Sequence, residues 1–154
     1  MQGRRLVPGP AALLLLALAA CAQPTTGALT PFPRSQRPPF PVAQERPDQV
    51  TGASGEVGSL DLVGYGAVTT VQGWTPSPDA RLVVVTDQPV TVLDTYREVR
   101  PDAAAALSAP VPDLGFHLRL RAHDAVLTRL CVLTVEPDGS ERVVHGSDPR
   151  WCRS

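Results

Sequence analysis

Apolar and polar residues alternate most clearly in segment 116–122, in the last third of the chain. Phe116, Leu118 and Leu120 fall on one side of an extended chain, while His117 and two arginines fall on the other. Because successive side chains of a β-strand point to opposite faces, this spacing is typical of a strand with one buried face and one solvated face. The segment therefore predicts a half-buried strand of a sheet.

Shorter runs of the same kind lie on both sides of this segment. They are rich in β-branched residues and bounded by turn-forming residues, as strands usually are. These runs cover residues 59–66, 67–74, 81–96, 127–136 and 141–146. The longest run is interrupted at Asp87-Gln88, which predicts a hairpin, and Pro137-Asp138-Gly139 predicts a second tight turn.

About seven short strands separated by turns every 8–12 residues predict an all-β fold. An isolated sheet would leave an apolar face in water, so the strands must cover one another. We therefore expect an immunoglobulin-like β-sandwich over residues 49–154. The alternative that the pattern leaves open is a small β-barrel.

One segment departs from the strand pattern and predicts a short helical turn in a crossover loop. Residues 100–110 contain four consecutive alanines after Pro101 and Asp102. Proline suits the first turn of a helix, and a carboxylate there favours the positive end of the helix dipole. We expect one or two turns of helix, with Arg100 paired to a carboxylate.

The amino terminus carries a pattern of its own. Arg4 and Arg5 precede an apolar run from Ala11 to Ala20, which is short of the roughly 20 residues that a membrane-spanning helix needs. A positive start, a short apolar run and small residues before a cut are typical of a signal peptide. Two cleavage sites are possible at the end of this signal peptide: an ordinary secretory site near Ala20 or Ala22, and a site just before Cys21.

Residues Leu18-Ala19-Ala20-Cys21 resemble the lipobox of bacterial lipoproteins. In that family the cysteine thiol receives a diacylglyceride, the chain is cut just before the cysteine, and the new amino group often receives a further acyl chain such as palmitate. The resemblance implies a signal peptide over residues 1–20 and a lipidated Cys21. It also implies attachment to the cell membrane or the outer membrane, facing the periplasm or the exterior.

The cysteine count fits this interpretation. The chain has three cysteines, and a lipidated Cys21 would leave Cys131 and Cys152 as a pair. Disulfides persist in the oxidising compartments outside the cytosol. We expect a disulfide between these two residues, with two free thiols as the alternative.

Proline dominates the segment that follows the lipobox. Seven of the 27 residues from Ala22 to Asp48 are proline, and proline fixes φ and lacks a backbone donor. We expect residues 21–48 to be the lipidated cysteine and a disordered tether of extended character. A proline-rich ligand for another domain is the alternative interpretation.

The charge balance bears on the partners. Without residues 1–20 the chain has 12 arginines and no lysine against 15 acidic residues, a net charge near −3. A balance of this sign disfavours nucleic acid as an electrostatic partner. The expected partners are the membrane, through the anchor, and an envelope polysaccharide or protein.

Short markers across residues 58–152 resemble a β-sandwich module of bacterial secreted and cell-wall-associated proteins. They occur in the order Gly58–Asp61, Val71–Trp74, Arg100–Asp102, Gly115–Phe116, Leu130–Val132 and Trp151–Cys152. The resemblance implies the sandwich fold and the disulfide, but no activity, because such modules rarely have an assigned one. From the residues themselves, we expect Gly73 to make room for packed rings, and Gly115 to adopt unusual dihedrals.

The search for chemistry gives few candidates. His117, His123 and His145, with Asp61 and Asp94, are the residues from which a hydrolytic site would have to be built, yet their spacing does not indicate assembly. No metal or cofactor motif is apparent, so neither is expected. Three aromatic residues, Tyr65, Tyr96 and Trp151, are the candidate binding surface. The sequence therefore predicts a non-enzymatic binding or structural module, with an envelope hydrolase using surface His and Asp residues as the alternative.

Overall fold

Two β-sheets packed face to face make up the folded part of the chain. The computed structural model describes residues 32–50, 53–148 and 150–152. Its strands are β1 (Val42–Glu45), β2 (Glu56–Val57), β3 (Ser59–Gly64), β4 (Thr69–Trp74), β5 (Arg81–Val85), β6 (Val90–Glu98), β7 (Gly115–Ala122), β8 (Cys131–Val135) and β9 (Glu141–Val144). One sheet has the strand order β1-β5-β8-β9-β2, and the other has the order β3-β4-β7-β6.

The strand order is that of an immunoglobulin-like sandwich. The four-stranded sheet follows the A-B-E-D order of that fold, and β5-β8-β9 follows C-F-G. Strands β1 and β2 lie at the two edges of the five-stranded sheet and pair with their neighbours in parallel. The predicted fold class is therefore confirmed, with nine strands in the described residues instead of about seven, and these strands do not close into a barrel.

The core lies between the sheets and contains the residues that alternation predicted. Phe116, Leu118 and Leu120 of β7 are fully buried, whereas the residues between them are not. The ring of Phe40 meets that of Phe116 edge-on, with centroids 6.5 Å apart. Gly73 makes room for this packing as expected, because a Cβ there would lie 2.9 Å from Phe116 Cζ and against the Ser59 carbonyl oxygen.

The predicted helical turn is confirmed as α1 (Pro101–Leu107) between β6 and β7. Ala103 and Ala104 are buried and pack with Leu114. The helix ends at Ser108, whose φ of 51° is left-handed.

The predicted hairpin around Asp87-Gln88 is wrong. β5 belongs to the five-stranded sheet and pairs with β8, while β6 belongs to the other sheet and pairs with β7. Four of the five residues of β5 are buried, so this strand needs a covered position inside its sheet. The turn at 137–139 is confirmed, because β8 and β9 pair around it and Gly139 has a φ of 85°.

The predicted disordered tether is also wrong over the residues that the structure describes. β1 lies inside the segment 21–48 and pairs with β5, and Phe40 is 1% exposed. A four-residue strand fits between Pro41 and Pro47, and it lies at a sheet edge, where proline neighbours are tolerated. A short 3-10 turn follows at Pro47–Gln49. The folded domain therefore begins before residue 49. Residues 1–20, predicted to be a signal peptide, and residues 21–31 lie outside the described part.

A disulfide joins Cys131, at the start of β8, to Cys152 near the carboxyl terminus. Both residues are fully buried, and their Cα atoms are 5.6 Å apart. The predicted pairing is confirmed. Within the described residues, no helix has the length and apolar character needed to cross a membrane.

Candidate functional site

Polar side chains are concentrated on the outer face of the four-stranded sheet. The register places His117 of β7 opposite Gln72 of β4 on one side and opposite Tyr96 of β6 on the other. Alternation along β6 puts Glu98 on the same face as Tyr96. We call the group Asp61, Gln72, Glu98, Arg100 and His117 the polar cluster; all of its members except Asp61 are at least four-fifths buried.

Gly115 provides the space in which this cluster packs. It lies opposite Glu98 in the β6–β7 ladder. A Cβ on Gly115 would lie 2.7 Å from Arg100 Cγ and 2.8 Å from Glu98 Cβ. The unusual dihedrals expected for Gly115 are not found, since its φ is not positive; the residue is needed for close approach instead.

Arg100 is the cationic centre of the cluster. Its side chain is 5% exposed, and it donates hydrogen bonds to Asp61 and to both carboxylate oxygens of Asp102, at 3.0 and 2.7 Å. The predicted pairing of Arg100 with a carboxylate is therefore confirmed. These hydrogen bonds hold the pKa of Asp102 at about 2.

Glu98 is a buried carboxyl with incomplete hydrogen bonding. Its side chain has no exposed surface, and Oε1 accepts a hydrogen bond from Gln72 Nε2 at 2.6 Å. Oε2 has no hydrogen-bond partner among the described residues. Burial raises the pKa of Glu98. His117 Nδ1 lies 3.8 Å from Glu98 Oε1 without a hydrogen bond, and burial lowers the pKa of His117. The site thus favours the neutral forms of both groups.

We expect Glu98→Gln to stabilise the protein at neutral pH. When a carboxyl has a raised pKa in the folded state, the free energy of unfolding falls as the pH rises from its unfolded pKa to its folded pKa. Above that pH range Glu98 is ionised in the folded protein, and its burial lowers the free energy of unfolding by on the order of 1.4 kcal/mol for each unit by which the pKa is raised. Glutamine can still accept the hydrogen bond from Gln72. Thermal melts across the pH range should therefore show a gain near pH 7 that vanishes in acid.

The control for this substitution is Glu56→Gln, which removes a carboxylate that is 46% exposed and paired with His145 at 2.7 Å. Exposed pairs contribute at most about 1 kcal/mol. A Glu98→Gln variant that melts at a lower temperature than wild type at pH 7 would show that the ionised carboxylate is stabilised by its surroundings.

The amino-terminal end of the described chain covers the edge of this face. We call residues 32–37 the strap. Its backbone pairs antiparallel with the end of β6: Ser35 N donates to Arg97 O and Val99 N donates to Pro33 O, both at 2.9 Å. The ring of Phe32 lies 4.1 Å from the Arg100 guanidinium carbon.

Arg34 and Tyr96 extend the cluster toward solvent as a stack. The Arg34 guanidinium lies 3.8 Å above the Tyr96 ring, and that ring also stacks on His117, with centroids 4.5 Å apart. Arg34 also pairs with Asp94 at 3.4 Å. Burial raises the pKa of Tyr96. The Tyr96 ring is therefore in contact with two side chains, Arg34 and His117.

The predicted binding surface does not come together in this structure. Tyr65 follows β3, is 45% exposed and has a hydrogen bond with the backbone of Leu130. Trp151 packs against the buried residues around the disulfide, with Arg129 5.9 Å from its ring. Tyr96 belongs to the stack described above, and in the described residues no ring contact joins any two of the three.

The candidate hydrolytic residues are also distributed over separate places. His123 Nε2 hydrogen-bonds Thr91 Oγ1 at 2.8 Å, and His145 contacts Glu56. Among His117, His123, His145, Asp61 and Asp94, no two share a hydrogen bond in the part of the chain that is described. In the same part, no three His, Cys, Asp or Glu side chains are grouped to hold a metal ion. Cys21, the predicted lipidation site, lies outside the described residues.

Sequence reasoning missed Glu98, Gln72 and the strap. Gln72 lies in a strand run and is noted only as part of the marker Val71–Trp74, while Glu98 lies beyond the end of the run 81–96 and carries no motif. The strap had a readable signal, since Phe32 and Phe40 are large aromatic residues in a segment whose prolines predict a spacer, and spacers contain few aromatics.

Comparison with known proteins adds no relative: no protein-family model matches the chain, and no significant match is found to a curated protein or a solved structure.

Proposed function

We propose that the protein is a lipid-anchored component of the cell envelope whose β-sandwich is a non-enzymatic binding or structural module. The observation that carries the proposal is the Cys131–Cys152 disulfide. It accounts for two of the three cysteines and is typical of proteins outside the cytosol. The cysteine that is left over is Cys21, which ends the lipobox-like sequence.

The docked strap limits how far the domain can be held from a membrane. Only ten residues, 22–31, separate Cys21 from Phe32. At about 3.1 Å per residue in an extended polyproline conformation, these ten residues reach roughly 31 Å at most. An anchored domain would therefore work close to the lipid surface, where its partner is an envelope polysaccharide or protein.

The burial of Glu98 supports a binding or structural role. A general acid or base has to come within hydrogen-bonding distance of its substrate, and Glu98 has no exposed surface. The net charge near −3 of the chain without residues 1–20 supports a partner other than nucleic acid.

A hydrolase of the envelope is the second candidate, and one observation favours it. Glu98 and His117 lie together with pKa values shifted by burial, and such pairs are frequent in active sites. Hydrolysis of envelope polysaccharide that is lost in both Glu98→Gln and His117→Gln, while both variants stay folded, would establish this candidate over the first.

The anchor is tested by intact mass spectrometry of the protein purified from the producing cells. We expect the wild type to begin at Cys21 and to carry acyl mass, and to sediment with membranes. Cys21→Ser should lose the acyl mass, because serine has no thiol to acylate. The matched control is Ala22→Ser, a neighbouring change that leaves the thiol in place and should keep the acyl mass. A wild type and a Cys21→Ser variant that differ only by the substitution itself would refute the anchor.

The binding role is tested by retention of the purified protein on peptidoglycan, on envelope polysaccharide and on immobilised envelope proteins. We expect retention on one of the three, and release by an excess of the same material in solution. Absence of retention on all three would leave the structural role.

A further inference from the structure

The outer edge of β6 is only partly covered. β6 is the last strand of the four-stranded sheet, so one of its two edges has no neighbouring strand in the described part of the chain. The strap covers this edge at residues 97–99 only. Val90 N donates to Gln44 Oε1 at 3.1 Å. Between these two places, no backbone partner from the described residues covers the edge at residues 91–95, and Val92 and Leu93 are 38% and 39% exposed there.

The strap occupies this edge as a bound peptide would. In strand addition, backbone hydrogen bonds provide affinity and alternate side chains provide specificity. Here the backbone bonds involve Arg97 O and Val99 N, while the alternate residues Phe32 and Arg34 make the side-chain contacts. The aromatic ring lies on the Arg100 guanidinium, and the arginine lies between the Tyr96 ring and the Asp94 carboxylate.

The strap is held less firmly than the chain that follows it. The Arg34 side chain is 65% exposed although it contacts Tyr96 and Asp94. By contrast, Phe40 is 1% exposed and lies 3.6 Å below the Arg97 guanidinium, whose Nε donates to Pro38 O at 2.6 Å.

The strap is also held at Asp113, which accepts a hydrogen bond from Ser35 Oγ and pairs with Arg37 at 3.4 Å. Release of residues 32–37 breaks these contacts and the edge hydrogen bonds, but none of the six residues is fully buried, and Phe40 stays in the core.

We propose that the β6 edge, from Asp94 to Val99, is a binding site for an extended peptide that carries an aromatic residue two positions before an arginine. The strap is the internal occupant of this site, and a partner protein of the envelope supplies the competing peptide. The inference rests on the proposed binding role and names the chemistry of the partner.

A partner peptide has an advantage that the strap lacks. The strap bends away from β6 at Gln36 and Arg37 to reach the other sheet, so it uses only the end of the edge. A separate peptide has no such constraint, and its antiparallel course would continue past Val92 and Leu93. The extra residue Leu93 interrupts the β6–β7 register, and such bulges limit pairing, so the added contact there comes from side chains.

The test is a binding titration with the full chain, purified in detergent. The probe is a fluorescent nine-residue peptide with the sequence of residues 29–37. A tethered occupant acts at a high effective concentration, so it must be weakened before a free peptide can bind well. We expect the probe to bind Phe32→Ala/Arg34→Ala at least about tenfold more tightly than wild type. A matched probe with alanine at both of these positions should lose this affinity.

Two further variants make the result decisive. Arg34→Ala alone changes an exposed side chain, so it repeats the test if the double variant does not fold. Addition of Tyr96→Ala to the weakened strap should abolish probe binding, because it removes the ring on which the arginine lies. Equal affinity for wild type and strap variants, equal affinity of the two probes, or no binding to any folded variant would overturn the proposal. The titration does not depend on acylation, so loss of the anchor and loss of the peptide site are separate outcomes.

Discussion

Replacement of Arg100 by alanine is expected to lower the free energy of unfolding by about 2 kcal/mol, since a hydrogen bond to a charged group contributes about 1.5–3 kcal/mol. Arg100 is 5% exposed, and its loss leaves Asp61, 26% exposed, without its cation. The contact of Phe32 with the guanidinium is lost as well. Chemical denaturation at neutral pH, followed by circular dichroism, would measure the effect.

Arg150→Ala is the matched control. Arg150 also binds both oxygens of an aspartate two residues away, Asp148, at 3.0 Å, but its side chain is 76% exposed. Exposed pairs contribute about 0–1 kcal/mol. A loss for Arg150→Ala as large as that for Arg100→Ala would show that burial does not set the strength of the Arg100 site.

The pair formed by Arg100 and Asp102 predicts how the effect of Arg100→Ala on stability changes with pH. The pKa of Asp102 is lowered from 3.8 to about 2, chiefly by the Arg100 hydrogen bonds. A lowered carboxyl pKa stabilises the fold above the unfolded value, and this stabilisation is lost as the pH falls through the folded value. The difference between wild type and Arg100→Ala should therefore narrow between pH 3.8 and about 2.

Removal of the disulfide, by Cys131→Ala with Cys152→Ala, should cost about 3 kcal/mol. The cysteines are 21 positions apart, and cross-linking a loop of that length restricts the unfolded chain. For a domain of this size the melting temperature should fall by roughly 10–20 °C. Differential scanning calorimetry of the oxidised wild type and the double variant would measure the loss.

Reduction of the wild type supplies the control for the disulfide. In the presence of a strong reductant, the wild type should melt close to the double variant, apart from the small packing loss of the two sulfur atoms. A wild type whose melting temperature is unchanged by reductant would contradict the stabilisation assigned to the bond.

The sequence was most informative where one physical requirement dominates. The alternation in β7 predicts which residues enter the core, because a strand between water and core must alternate. The alanine run predicts α1, and the pairing of Arg100 follows from its position beside Asp102. In each of these cases the structure is determined by interactions between residues close in sequence, or by the burial of one face of a single strand.

The errors arose where distant segments decide the outcome. A run such as 81–96 shows two strands and a break, but the choice between a hairpin and a crossover depends on which strands are nearby in space. Proline content predicts a disordered tether over residues 21–48, yet the burial of Phe40 against Phe116 outweighs the local preference. Glu98 could not be found, because only the register opposite Gly115 makes it buried.

The strap also has a mechanical consequence for a chain held at Cys21. Tension that enters at Phe32 reaches the strap before it reaches β1. The strap is attached by two backbone hydrogen bonds, by the contacts of Ser35 and Arg37 with Asp113, and by the exposed Arg34 side chain. The strap would detach first, and its six residues would lengthen the chain by roughly 19 Å in extended form. Phe40 and the sandwich would stay intact. The segment would thus extend under load before any strand of the sandwich is pulled apart.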